Sequence, residues 1–422
     1  MGRSLRPSVS TSASTHSMAT ERRTVLRGMA AAGLGVAWPG LGFSAALRPE
    51  CDKGAESEGE TRGVGGATGT KKGIGGAAGW RYLAARKRGQ AFEAVVVDDR
   101  GDDVHALSLP DRGHSFAIDA ARRRAVAFGR QPGFFATMLD LDGRRAPTRL
   151  ALAAGRHFFG HGVFVDGGRL LLATANDFEA GRGVLSVYDS SAQCSGSGSG
   201  SLIAEFETGG VGPHEVVALS GTNLVVVANG GLLTHPDFGK MPLNLESMQS
   251  SLAYVDITNG EVVDVVSLPP ELRQLSIRHL VVDKKGSVWF GCQYMGPASD
   301  TPALVGCHTP GQALKMFAGP PDILRRLRHY VGSVAIDAAG AVVATSSPVG
   351  GLVVYWDTET GNVLGTTELV DGCGVAPAKG GGFVISSGSG AMLRAAPGNM
   401  ARPTRPASTA LAWDNHLRHI PV

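Results

Sequence analysis

A short apolar run, a turn and a second apolar run recur along this chain, and each copy opens on a residue at the same offset. In "GPHEVVALSGTNLVVVANGG" that residue is His214, and Leu224 starts the second run ten residues later. "GHSFAIDAARRRAVAFGR" has His114 in this place, "GHGVFVDGGRLLLATAND" has His161, and "RHLVVDKKGSVWFGCQ" has His279. "GSVAIDAAGAVVATSS" has Ser333 and "CGVAPAKGGGFVISSG" has Cys373, while "WDNHLRHI" has His416 and stops after one run. The intervals are 47, 53, 65, 54, 40 and 43 residues. A unit of about 50 residues, built from short strands and Asp-x-x-Gly-like turns, has the length of a β-propeller blade.

Seven openings predict an all-β, seven-bladed propeller with WD40- or YVTN-like repeats. The last copy lacks strands that the other end of the chain can supply: "WRYLAARKR", "FEAVVVDD" and "HALSLP" precede the first repeat. Pairing the C-terminal strand, near His416–Pro421, with these N-terminal ones closes the ring and leaves only short blade edges. A solenoid or a sandwich does not account for the truncated seventh copy. The 60 glycines and the low aromatic content of 6% suit many short strands joined by tight turns.

Residues 1–46 have a different character. Arg22-Arg23 precedes a weakly apolar, Gly-rich stretch, and Ser44-Ala45-Ala46 offers small residues for cleavage. This is the pattern of a twin-arginine export signal, which places the mature protein in the periplasm; Met18 offers an alternative start. The stretch is short and broken by Gly and Pro39, so it suits a membrane span poorly, and no span is expected after cleavage. Residues 47–79 are Gly-rich, polar and nearly free of large apolar groups, which predicts a disordered tether ahead of a propeller at 80–422. "CSGSGSGS" reads as a flexible loop. The formal net charge of +3 includes five arginines and one glutamate in residues 1–46, so the remainder carries about −1. No basic stripe survives to suggest nucleic acid. Five scattered cysteines without a CxxC pair do not make a disulfide framework; Cys292 and Cys307 could face each other on paired strands, but independent buried thiols are the expected state.

In a propeller blade the first strand lines the channel, so the recurrent residues ring one mouth. That places His114, His161, His214, His279 and His416 together, with Ser333 and Cys373 in the two remaining places. The ends of second strands open on the same face and bring Arg130, Asn176, Asp177, Asn229 and Gln293 to its rim. Glu215 and Arg278, next to His214 and His279, are counted with that rim. "ANDFEAGRG" and "THPDFGKMPLN", read as long insertions, add Glu179, Arg182, His235, Asp237 and Lys240. Neutral imidazole is the commonest transition-metal ligand, so the five histidines with Cys373 are candidates to bind Fe, Cu or Zn, or an anion. The competing reading is structural: a polar residue at this place can tie adjacent blades through a backbone hydrogen bond. The chain has no Walker loop, GxSxG elbow, HExxH or CxxCH, so no catalytic residue is assigned.

Several longer strings carry a resemblance. "FFGHGVFVDGGRLL", "NDFEAGRGVLSVYD", "GVGPHEVV", "VVANGGLLTHPDFGKMPLNLESMQSSLAYVD", "LPPELRQLSIRHLVVD" and "VWFGCQYMGP" resemble the bacterial domain-of-unknown-function family 1513, over roughly residues 80–420. The resemblance implies an exported propeller, often encoded near periplasmic iron-uptake proteins, which would then be its partners. It implies no activity. The expected function is therefore a periplasmic propeller that binds a ligand or partner and is linked to iron or another transition metal. The alternatives are a propeller enzyme, either a lactonase-type metal-assisted hydrolase or an oxidoreductase, and a plain interaction scaffold.

Overall fold

Each apolar run becomes a strand buried on both faces, which is why it reads as near-continuous Val, Leu and Ile. In Leu224–Asn229, Val225 and Val227 pack with Val165, Leu172 and Leu185 of the preceding blade. Val226 and Ala228, pointing the other way, pack with Ile277 and Leu280 of the following blade. The hydrophobic core is thus a set of layers between blades. The computed structural model describes residues 79–191 and 200–421. The expected export signal at 1–46, nearly all of the tether at 47–79 and most of the "CSGSGSGS" loop lie outside the described residues.

Seven four-stranded antiparallel sheets make the propeller. Numbered along the chain, blade 1 spans 113–149, blade 2 156–207, blade 3 213–267, blade 4 275–317, blade 5 333–368 and blade 6 372–405. Blade 7 combines the C-terminal strand Leu411–Ile420 with Arg81–Arg88, Ala91–Asp98 and Asp103–Leu109. The expected closure is therefore present, with Arg81 opposite Ile420 and Arg86 opposite Trp413. Arg86 is buried in this blade, where its guanidinium donates to Glu93 at 2.7 Å and to both oxygens of Asp103 at 2.7 Å. Trp413 bridges to blade 6 by donating from Nε1 to the Gly390 carbonyl at 3.0 Å.

The turns follow the expected chemistry. The Asp283 carboxylate accepts from the backbone N–H of Lys285 at 2.8 Å and of Ser287 at 2.9 Å, and Gly286 takes a φ of +80°. A side chain there would strain the backbone, so "DKKG" needs its glycine.

One expectation about a segment needs correction, while Cys292 and Cys307 are independent as expected. "ANDFEAGRG" is not a long insertion: Leu170–Asp177 and Arg182–Asp189 are joined by a four-residue turn. Of the two segments, 230–250, which contains "THPDFGKMPLN", is a long excursion between second and third strands. Cys292 and Cys307 lie on paired strands but out of register, because Cys307 faces Trp289; both thiols are free.

Candidate functional site

In a regular strand neighbouring side chains point to opposite faces, so a ladder delivers one residue in two to the channel. Six of the seven innermost strands break that rule at the recurrent position. The pairing shifts between Gly113 and Phe116, around His114, and between Phe158 and Gly162, around His161. It shifts between Pro213 and Val216, around His214, and between Ile277 and His279. In blade 7 the shift frees Asp414, Asn415 and His416 from the ladder, and in blade 6 it frees Cys373 and Gly374. Blade 5, with Ser333, pairs without interruption. A bulge re-aims a side chain and bends its strand. Here it turns the imidazoles inward.

The five histidines form a packed cluster, all of them buried. The His161 ring centroid lies 5.0 Å from that of His114, 4.8 Å from His214, 5.7 Å from His279 and 4.8 Å from His416. His416 is also 4.6 Å from His114 and 4.8 Å from His279. Two sets of three, His114 with His161 and His416, and His161 with His214 and His279, bring candidate ligand nitrogens within 4.8 Å of one another. Nε2 of His161, Nδ1 of His214 and Nε2 of His416 are buried with no hydrogen-bond partner among the described residues.

Two carboxylates stand behind the rings. Glu215 places Oε1 3.5 Å from His161 Nδ1 and Oε2 3.3 Å from His279 Nδ1, and it also accepts from Arg418 and from the Leu280 N–H. Asp414 accepts from His114 Nδ1 at 3.4 Å and from Arg130 at 3.0 Å, and pairs with Arg112. An Nδ1–H held by a carboxylate leaves Nε2 as the lone-pair nitrogen, the tautomer a metal needs. Burial would raise the Glu215 carboxyl, but Arg418 and the two rings outweigh it and hold it well below the usual carboxylate range. Burial depresses the imidazoles in turn, to about 3 for His114 and about 4 for His279, so the rings are neutral.

Blade ties exist, but other groups make them. Thr174 Oγ1 of blade 2 donates to the His214 carbonyl of blade 3 at 3.2 Å, and Ser346 Oγ of blade 5 to the Cys373 carbonyl of blade 6 at 2.6 Å. Ser276 Oγ donates to the Gly230 carbonyl at 2.8 Å. Cys373 belongs with these ties, which corrects its expected role: its Sγ donates to the Asp414 carbonyl at 3.2 Å, and burial pushes the thiol up to about 12. It is not among the groups whose ligand atoms converge.

Above the cluster the channel opens into a cavity of about 300 Å³. His114, His214 and His279 form part of its wall, and of the expected rim Arg130, Arg278 and Gln293 line it, with Lys240 from the long excursion. The other rim residues are elsewhere. Asn176 is buried, donating to the Thr234 carbonyl at 3.0 Å and lying 3.1 Å from His157 Nε2. Asp177 is tied up by Arg156 and Arg182, each at 2.9 Å, and Arg182 also pairs with Glu207. Asn229 is buried and donates to the Thr208 carbonyl at 2.7 Å. His235 packs against Phe178 and lies 3.9 Å from exposed Glu179 and 3.6 Å from exposed Asp237, outside the cavity wall. Glu215 is not a rim group at all, because the bulge sends it deeper, beneath the rings. Asp414, Arg418 and Tyr330 escaped sequence reasoning. Asp414 had a signal: it stands two residues before His416 in "WDNHLRHI".

Comparisons with known proteins agree with this architecture. A family model described as "Protein of unknown function (DUF1513)" matches residues 107–420. No curated protein matches the sequence. Among solved structures the chain is similar to hydrazine synthase of Kuenenia stuttgartiensis at 13% identity, with a TM-score of 0.55 over 75% of this chain and 90% of that one. It is also similar to a hypothetical selenium-binding protein of Sulfolobus tokodaii at 13% identity, with a TM-score of 0.54 over 81% of this chain and 92% of that one. At such identities the likeness concerns the fold alone.

Proposed function

This chain belongs to the DUF1513 family of proteins of unknown function, and we propose that it is an exported propeller that binds a first-row transition metal at its histidine cluster. The observation that carries the reading is that three buried imidazole nitrogens without partners, on His161, His214 and His416, belong to two converging ligand sets that share His161. An unpaired buried polar atom costs about 1–3 kcal/mol, and three in one cluster need a common explanation. A metal ion supplies it. The donor set is imidazole alone, with no thiolate, which suits Fe²⁺, Zn²⁺ or Cu²⁺ rather than Cu⁺. The channel mouth gives the ion a way in, and Glu215 and Asp414 orient the ligands. In this reading the protein works in the periplasm, reached through the Arg22-Arg23 signal, and serves iron uptake alongside other proteins of that compartment.

The test is elemental analysis of protein recovered after export in its native host. About one metal ion per chain is expected, falling at least about tenfold in His161→Ala, since His161 belongs to both ligand sets. Metal-free wild-type protein that also fails to take up Fe²⁺, Zn²⁺ or Cu²⁺ in vitro would contradict the reading.

A further inference from the structure

The cavity above the histidines holds positive charge on Arg278 and Lys240 that no carboxylate among the described residues pairs with. Arg278 is the extra residue of the blade 4 bulge, and its guanidinium lines the cavity. Its Nε is buried without a hydrogen-bond partner, and no carboxylate among the described residues pairs with it. Lys240, an exposed residue of the long excursion that lines the same cavity, makes no ion pair among the described residues either. Burial first, then Arg130 and Arg112, lower its ammonium. Arg130 also faces the cavity, but its charge is shared with Asp414. No Asp or Glu lines the space.

We infer that this cavity binds a small organic anion bearing two or three carboxylates, held by Arg278 and Lys240 directly above the histidine cluster. A net local charge near +2 asks for a ligand of about opposite charge, because a concave site lined by one sign of charge concentrates counter-ions. A planar guanidinium suits a carboxylate in the two-point manner, and the lysine supplies a second point charge. The wall is not purely polar: Phe159, Leu232, Pro242 and Met295 share it, which favours a ligand with a carbon skeleton between its charges. The space of about 300 Å³ is also far larger than an inorganic oxyanion needs. Tyr330, whose hydroxyl accepts from Asn415 at 3.3 Å, offers an O–H to the same ligand. The inference rests on the metal reading only in placing the anion over the ring, where free carboxylate oxygens would reach toward a bound ion. Arg278 and Lys240 recognise the anion without it.

The experiment is calorimetric titration of the purified protein with succinate, citrate and inorganic phosphate at low salt, before and after metal removal by chelation. Succinate or citrate should bind one per chain, more tightly than phosphate. Arg278→Gln and Lys240→Gln should each weaken that binding about tenfold while leaving melting temperature and metal content as in the wild type. Lys240 stands on a loop, so its variant decides the matter if Arg278→Gln does not fold. Carboxylate binding that survives chelation and still depends on Lys240 and Arg278 upholds the inference even if the cluster proves metal-free. A metal-loaded protein that binds neither carboxylate overturns it alone. So does unchanged affinity in the folded variants, or tighter binding of phosphate.

Discussion

Glu215 and Asp414 orient three of the five rings, His161, His279 and His114, because a carboxylate that holds Nδ1–H leaves the Nε2 lone pair to offer. Glu215→Gln keeps the shape but loses the charge. It should lower metal affinity about 10- to 100-fold while His161 and His279 stay in place, as measured by competition with a chelating dye. Unchanged affinity would show that the rings need no carboxylate behind them. The histidines themselves were legible, because a repeat puts them in register. Their partners were not. Glu215 follows His214 directly, and in an unbroken strand the two would face opposite ways. Nothing in "PHEVV" announces the bulge that lets both enter the channel.

The innermost strand is the element that matters, and its bulges separate two tasks. Ring nitrogens point inward, while their own backbone carbonyls are left to accept hydroxyl ties from neighbouring strands. Thr174 serves two of these carbonyls, His161 at 3.1 Å and His214 at 3.2 Å. Thr174→Val should therefore cost about 1–3 kcal/mol in urea unfolding, since it strands buried acceptors, yet leave metal content unchanged. A loss of metal without a loss of stability would mean the threonine serves the site instead. Strand boundaries were readable from the apolar runs and their glycine turns. Loop lengths were not: "ANDFEAGRG" is polar enough to pass for an insertion, although Asn176 and Asp177 are strand residues, the Asn176 amide N–H bonded to the Thr234 carbonyl and the Asp177 carboxylate paired with Arg156 and Arg182.

The whole molecule depends on joining its two ends. The period near 50 residues and the truncated seventh copy were enough to predict this, because a propeller cannot leave one blade short of a strand. Removing residues 411–422 takes away that strand together with Asp414 and His416, and should abolish cooperative melting. A truncated protein that melts like the intact one would refute the closure. The same blade sets an acid limit. The hydrogen bond from buried Arg86 holds the Asp103 carboxyl down at about 2, against an ordinary value of 3.8. A lowered folded-state value contributes stability that is present above about pH 4 and is lost as pH falls through 2. The stability gap between wild type and Asp103→Asn should therefore narrow across that window in acid titrations monitored by circular dichroism. A constant gap would assign the effect to packing.

The histidine cluster as a metal site is the centre of this account, and the metal-edge X-ray absorption spectrum of the protein tests it most directly. Imidazole scattering from at least three histidines is expected, with nitrogens at about 2.0–2.2 Å and no sulfur, lost in a folded His161→Ala, His214→Ala, His279→Ala variant. A spectrum of oxygen or sulfur neighbours without imidazole, or one unchanged in that variant, would contradict it.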